Sequence, residues 1–174
     1  MAMVGTLISV EEYLHTTYDP DCDYVDGEVL ERNMGDQAHS TTQVEFAFYF
    51  RSRREDWNVF VFTEQRIRVT PSRYRIADLC VYAGQKPKEP VFQTPPFLCI
   101  EILSPDDRIE RIQDRIDDYL KFGVPYVWVV NPRSRRGWIY TTDEILEAKD
   151  GVLRTENPAY AVPLAEIFAA FDRK

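Results

Sequence analysis

Two segments of this chain, Arg75-Ile-Ala-Asp-Leu-Cys-Val-Tyr82 and Phe97-Leu-Cys-Ile-Glu-Ile-Leu103, are apolar through their centres except for one carboxylate each, Asp78 and Glu101. A strand that is apolar on both faces belongs in the middle of a sheet covered on each side, so the pair restricts the chain to layered folds of helix and sheet. An ionised carboxylate in such a place loses hydration worth several kcal/mol unless a cation or strong donors replace the water. Separate structural ion pairs or hydrogen-bonded acids would meet that need. No Lys or Arg adjoins Glu101, however, and two acids in consecutive strands point toward one shared divalent cation.

The remaining elements follow from periodicity and turn chemistry. Ser9 with Glu12 forms a capping box that opens a short helix ending near His15. Asp26-Gly27 divides Asp23–Glu31 into a hairpin, because its turn needs the positive φ that Asp and Gly tolerate. From Asp36 to about Arg54 no Gly or Pro interrupts a helix whose apolar face combines Val44, Ala47 and Phe48 with Phe46, Tyr49 and Phe50. Three strands are predicted next, over 58–62, 65–69 and 75–82, joined by connections short enough for an antiparallel meander. The segment 84–96, with four prolines, is a loop. Asp106 and Asp107 are offered as helix caps, and Ile109, Ile112, Ile116, Tyr119 and Leu120 recur at helical spacing until Gly123. The strand at Tyr126–Asn131 closes a strand–helix–strand unit, whose crossover is right-handed and whose strands run parallel. The tail reads as a hairpin pairing Trp138–Tyr140 with Val152–Leu153, followed by a helix from about Pro163 to Phe171.

With 174 residues, 44% of them hydrophobic, the chain suits a single domain over 1–174, with a core at about 20–132 and an accessory segment at about 133–174. A formal charge of −8 repels nucleic acid overall, so any contact with DNA needs local basic patches. Candidates are Arg51, Arg53 and Arg54, then Arg66 and Arg68, then Arg133, Arg135 and Arg136. Two of the three cysteines, Cys80 and Cys99, lie inside apolar strands, which suits a reduced, cytoplasmic protein better than a disulfide framework. No run of 18 apolar residues and no secretory leader pattern occurs, so no membrane role is expected.

The order helix, meander, helix, strand carries several motifs in sequence. These are Tyr24-Val-Asp-Gly-Glu28, His39 at the head of the long helix, Arg75-Ile-Ala-Asp78, Glu101-Ile-Leu-Ser-Pro105, Asp114-Arg-Ile-Asp-Asp-Tyr119 and Gly123-Val-Pro-Tyr-Val-Trp-Val-Val-Asn-Pro132. Together they resemble the PD-(D/E)XK nuclease superfamily and, within it, the Uma-two family of restriction endonucleases. The resemblance implies an α/β fold of the α+β kind, a mixed sheet flanked by helices, with a restriction-endonuclease-like core. It also implies Mg²⁺ or Mn²⁺ held by Asp78 and Glu101, Glu28 and His39 brought to the same site, and hydrolysis of phosphodiester bonds in DNA. A two-fold homodimer would suit the cutting of both strands.

Two positions depart from the family pattern. Ala77 stands where proline precedes the first acid, a mild change because the carboxylate does the chemistry. Leu103 stands where the pattern has lysine two residues after Glu101. The family also draws a lysine from the following helix, and the matching position here is Arg115, which stays protonated and so can hold a phosphate but cannot act as a base. The chain is therefore expected to be a metal-dependent endonuclease or, as the alternative, a nuclease-fold protein that has lost catalysis and serves as a nucleic-acid-binding or protein-interaction module.

Overall fold

The computed structural model describes residues 7–173. Helix α1 (Val10–His15) begins at Ser9, whose hydroxyl accepts from the Glu12 amide at 3.1 Å, as the capping pattern requires. The hairpin β1 (Asp23–Val25) and β2 (Glu28–Leu30) turns through Asp26 and Gly27, both at positive φ (50° and 102°). Then follow α2 (Gln37–Ser52), α3 (Arg54–Trp57), β3 (Val59–Thr70), β4 (Arg73–Ala83), β5 (Leu98–Ile102), α4 (Ile109–Phe122) and β6 (Tyr126–Asn131). After these come β7 (Arg136–Tyr140), β8 (Ile145–Glu147), β9 (Val152–Arg154), β10 (Ala161–Pro163), α5 (Leu164–Phe168) and a 3₁₀ turn (Ala169–Asp172).

One eight-stranded mixed sheet organises the molecule in the order β2-β1-β4-β5-β6-β7-β8, with β3 paired to β4. The strands β5 and β6 run parallel across the crossover helix α4, and every other pair is antiparallel. On one face Phe46 and Phe50 of α2 pack with Leu79, Val81, Ile100 and Trp128. On the other, Ile116 and Tyr119 of α4 pack with Cys80, Cys99, Val127 and Val129. β4 and β5 are thus covered on both sides, as their composition requires.

Several elements differ from the sequence expectation. The first two predicted meander strands are one twelve-residue strand, β3, in which Glu64 takes a positive φ of 51° where the sequence reading places a break. The buried face of α2 is His39, Thr42, Phe46, Tyr49 and Phe50, while Val44 and Phe48 are 62% and 66% exposed. Between Val44 and Phe50 every residue but Glu45 is apolar or aromatic, so periodicity alone could not choose the buried side. Asp107 does not cap α4: its carboxylate accepts from the Ser104 amide at 2.6 Å, and Arg108 is the residue at the cap. The Trp138–Tyr140 strand pairs with β6 and β8, and Val152–Leu153 pairs instead with β10. Among the described residues no helix is long and apolar enough to cross a membrane.

Candidate active site

The site lies where β4 and β5 part. Their pairing ends at Leu79 opposite Ile100; one more step would set Asp78 opposite Glu101. Past that point main-chain groups that a ladder would satisfy are met by side chains. The amide of Ile102 donates to Asp78 Oδ2 at 2.7 Å, Gln43 Nε2 donates to the Asp78 carbonyl at 2.9 Å, and the Arg115 guanidinium donates to the Ile76 carbonyl. Two acids are therefore held at an opening in an otherwise continuous sheet.

Each carboxylate has an arginine. Arg32 Nη2 lies 2.7 Å from Asp78 Oδ1, and the same guanidinium grips Glu64. Arg115 Nη2 lies 3.3 Å from Glu101 Oε2, its Nε is 3.6 Å from Asp23, and Tyr119 donates to Glu101 Oε1 at 2.9 Å. His39 Nε2 reaches Asp78 Oδ2 at 3.3 Å from the first turn of α2, where Asp36 caps the helix by accepting from the His39 amide at 2.9 Å. A Cβ at position 35 would lie 2.6 Å from the His39 ring, so Gly35 lets the preceding loop pass over it.

These contacts set the protonation. Burial raises the Asp78 carboxyl, but the hydrogen bond from His39 and the charge of Arg32 outweigh it and the net shift is downward. For His39 burial acts to lower the value, yet the Asp78 contact prevails and raises it. Burial pushes Glu101 up to about 8, with Arg115 opposing and the Asp78 charge adding to the rise. One acid is thus held ionised while its neighbour ionises reluctantly.

Four of the five residues singled out in the sequence meet here: Asp78, Glu101, Arg115 and His39. Glu28 does not join them. It pairs with Val25, which in turn lies beside Arg73, five positions before Asp78 on β4 and so roughly 17 Å short of it along the strand. Glu28 is exposed and forms no hydrogen bond or ion pair with the other four. The hairpin's outgoing strand delivers Arg32 to the site instead. The sequence reading assigns no role at the site to Arg32, Glu64 or Tyr119, and only the α4 register, which puts Tyr119 four residues after Arg115, could flag one of them.

Most of the basic candidates for phosphate contact already have partners. Arg66 pairs with Asp21 at 2.7 Å, Arg133 with Asp36 at 3.1 Å, Arg135 with Asp172 at 2.7 Å and Arg136 with Glu147 at 2.6 Å, while Arg53 stacks 3.6 Å over the Tyr49 ring. Among the described residues no group of three or more His, Cys, Asp and Glu side chains is arranged to hold a metal ion. The donor set is nevertheless chemically suited to Mg²⁺ or Mn²⁺, which take hard oxygens, commonly one or two carboxylates completed by water and substrate phosphate.

The sheet, its crossover and the acids at its opening define a nuclease-type fold. A crystal structure described as a "putative nuclease belonging to DUF820" from Anabaena variabilis superimposes with a TM-score of 0.81 at 22% identity, over 93% of this chain and 98% of that one. The Uma2 family model, "Putative restriction endonuclease", matches residues 10–162, and the chain belongs to that family. No curated protein matches.

Proposed function

We propose that this protein is a metal-dependent endonuclease that hydrolyses phosphodiester bonds in DNA. The observation that carries the reading is the convergence of Asp78, Glu101 and Arg115 at the opening between β4 and β5. Asp78 and Glu101 would hold Mg²⁺ or Mn²⁺, which supplies Lewis-acid polarisation of the phosphoryl group and orientation of the attacking water. Arg115 remains protonated and offers a fixed fork to a phosphate oxygen, stabilising the charge that builds up in the transition state. His39 and the Ile102 amide orient Asp78. Tyr119 orients Glu101. Pairing of two copies would let two such sites address the two strands.

A second reading, a nuclease fold retained for binding without cutting, is favoured by two features: each carboxylate already has an arginine, and Leu103 occupies the lysine position. One experiment separates the two. Linear, supercoiled and single-stranded DNA are incubated with the protein and Mn²⁺ or Mg²⁺, beside Asp78→Asn and Glu101→Gln. Cleavage that both substitutions abolish supports the nuclease. Retention of DNA in a shift assay with no cleavage of any form supports the binding module.

A further inference from the structure

The two arginines of the site are held in different ways. Arg115 rises from the middle of α4 and is gripped by Glu101, Asp23 and the Ile76 carbonyl, all on strands of the sheet. Arg32 comes from the irregular segment 31–36 that follows β2, and both its partners, Asp78 and Glu64, are carboxylates. Its guanidinium lies between a buried acid and a half-exposed one: the side chains of Asp78 and Glu64 are 5% and 45% exposed. Gln43 fixes that pair, donating to Glu64 Oε1 at 2.7 Å and to the Asp78 carbonyl at 2.9 Å. The other partners of Asp78, the Ile102 amide and His39, both address Oδ2 from a strand and a helix. Arg32 alone addresses Oδ1.

The loop that brings Arg32 in is itself tied down. Asn33 Nδ2 donates to Asp107 Oδ1 at 2.7 Å, joining the loop to the turn before α4, and Asp36 meets Arg133 at 3.1 Å. Arg32 Nε is buried without a partner, so the guanidinium is not saturated where it sits. A divalent ion on Asp78 would bring two positive charges to a carboxylate that already carries one, in a setting where little water screens them. The two cations therefore compete for one acid.

We propose that Arg32 is a tethered cation that occupies Asp78 in the metal-free protein and must withdraw when a divalent ion binds, so that the 31–36 loop and its Asn33 tie set the threshold for metal loading. This rests on the metal-dependent reading above. Arg32 acts through Asp78 and is a positioning residue.

The test is Mn²⁺ binding to the full chain without DNA, read by the electron paramagnetic resonance of free Mn²⁺ after chelator treatment. Arg32→Met should bind Mn²⁺ about tenfold or more tighter than the wild type, equivalent to about 1.4 kcal/mol. Asn33→Ala, which keeps the arginine and loosens its loop, should tighten binding by less. Equal affinity in wild type and Arg32→Met overturns the proposal while leaving the metal reading in place. Absence of Mn²⁺ binding in both overturns the two together. A measurement on the unmodified protein guards against a variant that fails to fold: Mg²⁺ should speed amide hydrogen exchange across 31–36, and an unchanged or slower rate would count against withdrawal of Arg32.

Discussion

Strand β4 carries two charge clusters within six residues, Arg73 to Asp78, and they are built to different standards. At its start, Arg75 donates to Asp118 at 2.7 Å and to Asp23 at 3.1 Å, and Arg73 bridges Asp118 and Asp26, each at 2.8 Å. Asp23 also accepts from the Ile76 amide at 3.0 Å, and Arg75 leaves no buried nitrogen unpaired. Three residues on, at Asp78, both arginines leave a buried Nε without a hydrogen-bond partner, and one acid is pushed toward neutrality. The first cluster is saturated and joins β1, β4 and α4. The second is undersatisfied, as the proposed metal site would be before its ion binds.

Removing Arg75 should have the largest effect on the fold. Arg75→Ala leaves Asp23 and Asp118 buried and partly uncompensated, which costs about 3–5 kcal/mol for a broken buried pair. Its thermal midpoint should fall by about 10 °C, at roughly 2–4 °C per kcal/mol for a chain of this size. A fall no larger than that of the surface variant Arg136→Ala would erase the distinction between the clusters.

Arg115→Ala should act on rate more than on stability. Loss of one oriented charge stabiliser costs about 10²–10³ in kcat, and Arg115→Lys should restore a large part of it, measured by single-turnover cleavage under the same metal. Full activity in Arg115→Ala would place this arginine with Arg75 as scaffold.

The pH dependence of stability sharpens the comparison further. Burial raises Glu101 to about 8 in the folded protein, above the value near 4.3 of an unfolded glutamate. Its favourable contribution is therefore complete below about pH 4 and is lost as pH rises through about 8. In chelator, the thermal midpoint of Glu101→Gln relative to the wild type should climb by on the order of 5 °C between pH 5 and pH 8.5. A flat difference would mean that the neighbours of Glu101 offset its burial. The smallest effect belongs to the exposed face of α2, where Phe48→Ser should alter stability by within about 0.5 kcal/mol in a denaturant titration.

What could be read in the sequence divides along the same line. Asp78 and Glu101 stood out because each breaks an apolar strand, and the β5–α4–β6 crossover followed from connection chemistry alone. The cations that answer those acids could not be seen locally. Arg32 lies 46 residues from Asp78 in the chain, and local patterning says nothing about contacts made by folding. Arg115 entered only through the family resemblance. Glu28 enters through its motif, but the hairpin register sets it across β1 from the start of β4, and the fourth residue after it, Arg32, is the one that meets the acid. The single strand over Val59–Thr70 was divided in the reading because a positive φ at Glu64 is paid for by contacts made elsewhere in the fold.

Cys80 and Cys99 face each other across β4 and β5, each one position from the end of the pairing that forms the site. Both are fully buried, and burial raises both thiols, so neither is a reactive thiolate in the closed sheet. A thiol-specific reagent can reach them only after the face that α4 covers opens. The molecule thus carries a built-in clock for that opening: the labelling rate of Cys80 and Cys99 reports how often α4 lifts from the sheet beside the acids, and loss of Arg115, which ties α4 to Glu101 and Asp23, should quicken it.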